Sequence, residues 1–323
     1  MLTRREAFTL TVGASLIPSY ARTQSALQLP RLGFVSLAGT NYPAYEFFTK
    51  ELAALGYADA QNTRIEARFA DRVVGRLPGL IAELIALPLD AIAIVGAATA
   101  KHVSAATKTI PLVFSIVVDP VADGLVANAR RPGGNMTGVT NFDPQQASAH
   151  MRLLNEIRPG LSSVAILGDT SVPDLLDRAN EAAAQAEGLR PIMIRLRGPG
   201  EDMDAVFRSL VSQGAGAIVG LEVPAVGGHA KRIIAFANEA RLPTLFSADN
   251  AAAKPTIAYG TSFLETVGRM AGVAVQLLGG AKPGEVPIEV LANHKLTLNL
   301  ESATRIGATI PPAMLAHADS VVK

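Results

Sequence analysis

Short apolar runs alternate with amphipathic stretches along most of the chain. Residues 32–36 (LGFVS) form one apolar run, and Phe47, Phe48, Leu52 and Leu55 then follow at helical spacing. Apolar runs of about four to eight residues are typical of strands buried on both faces, and the longer repeat is typical of an amphipathic helix. The alternation therefore predicts an α/β protein with mainly parallel sheets.

The same order of patterns occurs twice. Strand-like runs lie at 91–95 and 112–117 in the first half and at 163–167, 191–196 and 215–221 in the second. The segments 110–115 (IPLVFS) and 242–247 (LPTLFS) are similar, and each follows a helix-ending glycine, Gly56 or Gly188, at the same spacing. A repeated order of elements at repeated spacing indicates two similar units. We therefore predict two doubly wound lobes with a cleft between them.

A glycine-rich segment, residues 131–141, lies between the two halves. Because glycine reaches backbone angles that other residues avoid, the segment is a candidate first strand of a multi-strand hinge. The alternative is a surface turn inside one lobe. We expect the chain to return to the first lobe near residues 256–260. The predicted lobes are residues 28–139 plus 256–288 and residues 140–255 plus 289–323.

The first two dozen residues differ from the rest of the chain. Arg4 and Arg5 precede an apolar stretch at 7–17, and Ser19 and Ala21 are small residues placed for cleavage after position 21. This layout is typical of a signal peptide, and the stretch is shorter than the roughly 20 residues that span a membrane. We predict a signal peptide at residues 1–21 and a periplasmic protein, exported by the Sec or the twin-arginine route. A buried N-terminal helix is the alternative.

Composition and motifs argue against several classes of function. The formal net charge of +1 offers no basic face for nucleic acid, and the absence of cysteine excludes disulfides and thiolate zinc sites. The five histidines lack metal-ligand spacing, and no nucleophile elbow, phosphate loop or dinucleotide motif occurs. We expect no metal, no cofactor and no catalysis. The remaining alternative of that class is an exported α/β enzyme with Glu222 or Asp249 as its base.

Loops that follow parallel strands are the expected ligand contacts, because ligands bind beyond the carboxyl ends of such strands. In the first lobe these contacts are Ser36, Ala38, Asn41, Tyr42, Ala97, Ala98, Thr99 and Asp119; in the second they are Asp169, Thr170, Ser171, Glu222 and Asp249, with Asn141 at the crossing.

Several of these contacts have a structural alternative. The unpaired N–H groups of 97–99 at a helix start suit a carboxylate, but small residues there also suit a tight turn. Asp119 either meets a ligand amine or caps the following short helix. Tyr42 either stacks on a flat ligand or is a half-buried residue at a helix start. Carboxylates in one lobe that face an anion site in the other fit a zwitterion such as an amino acid.

Two central segments resemble a known family. Residues 118–126 (VDPVADGLV) and 131–139 (RPGGNMTGV), together with 107–114 and 306–312, are similar to ABC-transporter substrate-binding proteins related to tryptophan- and tyrosine-binding periplasmic proteins. The resemblance implies a type I periplasmic-binding fold that holds a ligand between two lobes. It also implies the ligand contacts named above, except Tyr42. The family often has Trp-Asn where this chain has Gly168-Asp169.

The leading expectation for function combines these observations. It is a monomeric solute-binding component of an ABC importer, which captures a small organic ligand, an amino acid or another carboxylate, and delivers it to a permease and its ATPase. Binding closes the hinge around the ligand, and no covalent bond changes. A ligand-sensing module that feeds a receptor is the alternative with the same fold.

Overall fold

The computed structural model describes residues 29–198 and 200–323. The predicted signal peptide, residues 1–21, lies outside the described residues. Within the described part of the chain, no helix combines the length and the apolar character that crossing a membrane requires.

Strands and helices alternate along the described chain. The first half contains β1 (Arg31–Ser36), α1 (Pro43–Ala54), β2 (Arg64–Phe69), α2 (Leu77–Ile85), β3 (Ala91–Val95), α3 (Ala97–Ala106), β4 (Leu112–Ser115) and β5 (Met136–Thr140). The second contains α4 (Pro144–Ile157), β6 (Ser163–Asp169), α5 (Leu175–Ala186), β7 (Arg190–Leu196), α6 (Met203–Ser212), β8 (Ile218–Gly220), α7 (Pro224–Glu239), β9 (Thr244–Phe246) and β10 (Ile257–Gly260). The C-terminal part contains α8 (Phe263–Leu278), β11 (Glu289–Val290), β12 (Lys295–Asn299), α9 (Leu300–Ile306), α10 (Pro312–His317) and β13 (Ser320–Val322).

The first sheet is parallel throughout and is covered on both faces. Its strand order is β11-β5-β4-β3-β1-β2. Successive residues of β3 enter opposite cores: Ala93 packs with the α1 and α8 side chains, whereas Ile92 and Ile94 pack with those of α2 and α3. Because side chains alternate across a strand, a fully apolar run such as β3 requires cover on both sides.

The second sheet is mainly parallel and has a mixed edge. Its order is β13-β12-β10-β9-β8-β6-β7, and the β10–β12 pair is antiparallel. One continuous core joins this sheet to its helices, with Phe246 and Ile233 fully buried. The predicted α/β class with two doubly wound lobes is confirmed.

The observed strand pairing places the boundaries between the lobes at other residues than those predicted. β10 pairs with β9 and β12, so 257–260 belong to the second sheet and the return to the first lobe begins at Thr261. β11 pairs with β5, so 289–290 belong to the first sheet and the last crossing follows them. Thr140 likewise ends a first-lobe strand. A short apolar run has the same pattern in either sheet, which is why these three boundaries were misplaced.

The glycine-rich segment belongs to the first lobe and is not a hinge strand. The Gly133 N–H donates to the Gly284 carbonyl at 3.1 Å, and the Thr137 hydroxyl donates to the Val286 carbonyl at 2.8 Å. Residues 136–140 form β5, and the crossing begins only at Asn141. The two lobes are therefore connected at three places, residues 141–143, 261–262 and 291–294.

Candidate functional site

A cavity of about 250 Å³ lies beside the first and second crossings. Its first-lobe wall is apolar, and most of the remaining wall comes from the first crossing and the second lobe. The lining residues are Ile116, Val118 and Phe263 of the first lobe, Asn141, Phe142 and Asp143 of the crossing, and Gln146, Ala147, His150, Leu176, Ala179, Asn180, Leu221, Glu222, Val223 and Pro224 of the second lobe. The cavity thus contacts both lobes and the chain segment that joins them.

Glu222 is a half-buried carboxylic acid of this cavity. It lies between β8 and α7, and its Oε1 accepts a hydrogen bond of 3.2 Å from the Asn141 side-chain amide. Burial and the nearby Asp249 carboxylate raise the pKa of Glu222 to about 8, while the Asn141 bond acts in the opposite direction. At neutral pH the empty cavity therefore holds Glu222 mainly in its protonated form.

Asp249 lies outside the cavity lining and joins the two lobes. Its carboxylate accepts hydrogen bonds from the Ser262 hydroxyl at 3.0 Å and from the Phe263 N–H at 2.7 Å. These donors stand at the N-terminus of α8, where a negative charge is stabilised by the free N–H groups. Asp249 therefore acts on the cavity through its charge and through the position of Phe263.

A chain of hydrogen-bonded polar side chains borders the cavity between α4 and α5. His150 is buried, its Nδ1 lies 2.9 Å from the Asn180 Oδ1, and its Nε2 lies 3.4 Å from the Gln146 Nε2. Burial lowers the pKa of His150 to about 4, with a smaller contribution in the same direction from His294. The imidazole is therefore neutral at pH 7.

Sequence reasoning missed this chain of side chains. Gln146 and His150 are one helical turn apart on α4, beside the buried Ala147 and Met151, so the sequence does contain one signal for a buried polar pair. Their partner Asn180 is 30 positions further on, and the contact arises only when α4 packs against α5. Spacing along the sequence does not show it.

The apolar wall includes a strained residue. Ile116 follows β4 with φ of 59°, in the left-handed region that β-branched residues rarely occupy. Such strain costs on the order of 1–3 kcal/mol and is most common at functional sites. With Val118 and Phe263, Ile116 offers the cavity an apolar first-lobe surface opposite the polar groups of the second lobe.

The charged lining is acidic. Asp143 and Glu222 contribute carboxyl groups, and the described lining residues include no lysine or arginine. A bound cation or hydrogen-bond donor therefore finds acceptors in the wall, whereas an anion placed against Glu222 meets no compensating side-chain charge. The cavity suits a ligand with a donating or cationic group and an apolar body.

Asn141 and Glu222 are the predicted contacts that line the cavity. Asp119 instead caps the turn that follows it, accepting bonds from the Val121 and Ala122 N–H groups at 3.0 and 2.9 Å. Thr99 is buried, and its hydroxyl has no hydrogen-bond partner among the described residues. Ala97 and Ala98 open α3 after Gly96, whose φ is 91°.

Asp169 stabilises its own lobe with both carboxylate oxygens. Its Oδ1 accepts from the Ser171 N–H and hydroxyl at 2.8 and 2.6 Å, and its Oδ2 accepts from the Ala225 N–H at 2.8 Å. The Thr170 hydroxyl donates to the Leu196 carbonyl at 3.2 Å. These three predicted contacts are therefore engaged in hydrogen bonds within the second lobe.

The loop after β1 is also engaged locally. The Ser36 hydroxyl accepts a bond from the Ala38 N–H at 3.1 Å, and Asn41 is exposed. Tyr42 is half-buried, its ring centroid lies 6.1 Å from that of the cavity residue Phe263, and burial raises the pKa of its phenol. Tyr42 therefore supports the apolar wall from behind.

Gly168 makes room for a buried carboxylate. A Cβ at this position would lie 1.9 Å from the Asp177 Oδ1. That oxygen lies 3.4 Å from the Arg195 Nε. A side chain larger than glycine therefore has no space at this position beside Asp177.

The fold and the cavity define a two-lobed ligand-binding protein of the type I periplasmic-binding class. Residues 35–322 match the family model described as ABC transporter substrate binding protein, and the chain belongs to that family. The family is one of binding proteins and not of enzymes.

Individual relatives agree with this assignment. The chain is 23% identical over 260 residues to the Tyrosine-binding protein of Clostridioides difficile (strain R20291), which covers 78% of this chain and 73% of that protein. Its fold is similar to the ABC domain in complex with L-Trp from Streptococcus pneumonia, with a TM-score of 0.80, 22% identity and coverage of 91% and 100%. The fold is also similar to that of a conserved domain protein from Vibrio cholerae o1 biovar eltor, with a TM-score of 0.79, 22% identity and coverage of 91% of this chain and 100% of that chain.

Proposed function

We propose that this protein is the periplasmic component of an ABC importer, and that it carries a small organic solute with an amino group to a permease and its ATPase. An amino acid is the simplest such solute, because it adds a carboxylate to the ammonium group. Aromatic amino acids are the first candidates, since relatives of this chain bind tyrosine or hold L-Trp.

The main support for this proposal is the hydrogen bond between Glu222 and Asn141 in a cavity between the lobes. A solute ammonium placed against Glu222 replaces the proton that the empty site holds, and its charge favours the ionised carboxylate. The apolar body of the solute packs against Ile116, Val118 and Phe263. A solute that contacts both walls favours the closed arrangement of the lobes, since those contacts form together only there.

Three of the remaining predicted contacts belong to this proposal as first-lobe partners of the solute carboxylate. Ala97, Ala98 and Thr99 stand at the N-terminus of α3, where N–H groups and the helix dipole favour an anion. The unpartnered Thr99 hydroxyl is a further donor in the same turn. Hinge closure brings this end of the first lobe toward the solute held by the second.

The solute itself is the first test. Native mass spectrometry of the protein purified without added ligand should release one small molecule with an amino group, and calorimetry with that molecule should give one site per chain. Glu222→Gln should weaken binding at least about tenfold, because a charge-assisted hydrogen bond is lost. Glu239→Gln, at the exposed C-terminal end of α7, the helix that follows Glu222, should bind as the wild type does.

Transport is tested separately. Deleting the gene should abolish uptake of the identified solute, complementation should restore it, and the mature protein should be recovered from the periplasmic fraction. Enzymatic conversion of the bound molecule, or unchanged uptake in the deletion strain, would contradict the proposal.

A further inference from the structure

Gln146, His150 and Asn180 form a chain of hydrogen bonds between α4 and α5. One backbone carbonyl group determines which atom donates and which accepts at each step of this chain. The Asn180 Nδ2 lies 3.0 Å from the Leu176 carbonyl oxygen. A carbonyl oxygen only accepts, so the amide group that faces it must be the NH2. The Oδ1 of Asn180 is therefore the atom that faces His150.

The orientation of the Asn180 amide determines which nitrogen of His150 carries the proton. Because the Asn180 Oδ1 is an acceptor at 2.9 Å, the His150 Nδ1 carries the proton and donates it. The imidazole is neutral at pH 7, because burial lowers its pKa to about 4, and its Nε2 is therefore a lone-pair acceptor. The Tyr259 ring packs edge-on against the imidazole at 6.0 Å, and His294 stacks on the far side of Tyr259.

Gln146 is the last residue of this hydrogen-bonded chain. Its NH2 group faces the His150 Nε2 at 3.4 Å, so its Oε1 is not used in the contact with His150. Gly260 leaves space for this NH2, since a Cβ there would lie 2.9 Å from the Gln146 Nε2. Within the described chain no donor bonds to the Oε1, and Gln146 lines the cavity. Of the two polar atoms of this amide, the Oε1 is therefore the one left to accept a hydrogen bond from a ligand in the cavity.

We propose that Gln146, oriented by His150 and Asn180, selects solutes whose body carries a hydrogen-bond donor, such as a phenolic hydroxyl or a ring N–H. The inference rests on the proposed function, and it adds a second polar requirement to the amino group at Glu222. Gln146 contacts the solute; His150 and Asn180 are positioning residues. A solute of the same shape without the donor leaves the Oε1 unpaired in a partly buried site, which is costly.

The test compares matched pairs of solutes by calorimetry at pH 7.4. The pairs are L-tyrosine with L-phenylalanine, and L-tryptophan with 3-benzothienyl-L-alanine, in which sulfur replaces the ring N–H. In the wild type, the member with the donor should bind at least about tenfold more tightly. In Gln146→Met the two members should bind within about twofold of each other.

Two further variants separate selection from packing. His150→Phe, which removes the acceptor that orients the Gln146 NH2, should lose the preference while the protein remains folded by circular dichroism. Gln145→Met, the same substitution at the adjacent exposed position, should behave as the wild type. In addition, ¹⁵N shifts should show His150 protonated at Nδ1.

The results that would contradict the proposal are specific. A preference that persists in Gln146→Met, equal binding within the wild-type pairs, or a His150 protonated at Nε2 would overturn the selection by Gln146. If none of the four test solutes binds but another amine co-purifies with the protein, the selection by Gln146 is also overturned. The proposed transport function is not contradicted by that result. If no solute binds at all, both proposals are overturned.

Discussion

Replacing Glu222 by glutamine removes the titrating group of the cavity and keeps an acceptor for the Asn141 amide. In the folded, empty protein the pKa of Glu222 is about 8, against an ordinary value of 4.5. The folded state therefore binds more protons than the unfolded state between these two values. The contribution of Glu222 to stability is complete below about pH 4.5 and is lost as the pH rises through 8.

The size of this effect follows from the shift. One pKa unit corresponds to about 1.4 kcal/mol, so between pH 5 and pH 8 the wild type should lose up to about 3.5 kcal/mol relative to Glu222→Gln. This figure is an upper value, because a half-buried carboxyl keeps part of its contact with water. Other titrating groups, His150 included, are common to both proteins and cancel in the difference.

Urea unfolding at one-unit steps from pH 5 to pH 8 measures this difference. The stability curves of wild type and Glu222→Gln should diverge with rising pH, and Glu239→Gln should follow the wild type. With an amine-bearing solute at saturation the divergence should shrink, because the ammonium holds Glu222 in its ionised form. Parallel curves for the empty proteins would refute the argument that burial and Asp249 hold a proton on Glu222.

Three further outcomes are expected. Because the pKa of His150 is about 4 against an ordinary 6.5, the wild type should lose stability as the pH falls through that window; urea unfolding of His150→Asn should show a flatter profile. Gly168→Ala should cost about 2–3 kcal/mol in thermal unfolding, since its Cβ displaces Asp177, whereas Gly228→Ala, with no neighbour within 4 Å, should be neutral or slightly stabilising. Asp169→Ala should cost about 2 kcal/mol through loss of its bond to α7 and leave solute affinity within about twofold; a large loss of affinity at normal stability would place it in the site.

The local patterns of the chain determined its class and pointed to two residues of the candidate site. Apolar runs and amphipathic repeats specify strands and helices because each reflects the burial of neighbouring residues, so the α/β order and the two lobes were readable. The rule that ligands bind beyond the carboxyl ends of strands selected Glu222, and the junction between the halves selected Asn141.

Tertiary structure decided what local patterns do not encode. The run 257–260 could join either sheet, and only pairing with β9 and β12 placed it in the second. Asp119 and Asp169 follow strands as Glu222 does, but nearby N–H groups bind their carboxylates, and which donors come close depends on the packed backbone. The contact of His150 with Asn180 joins residues 30 positions apart, and it exists because α4 packs on α5.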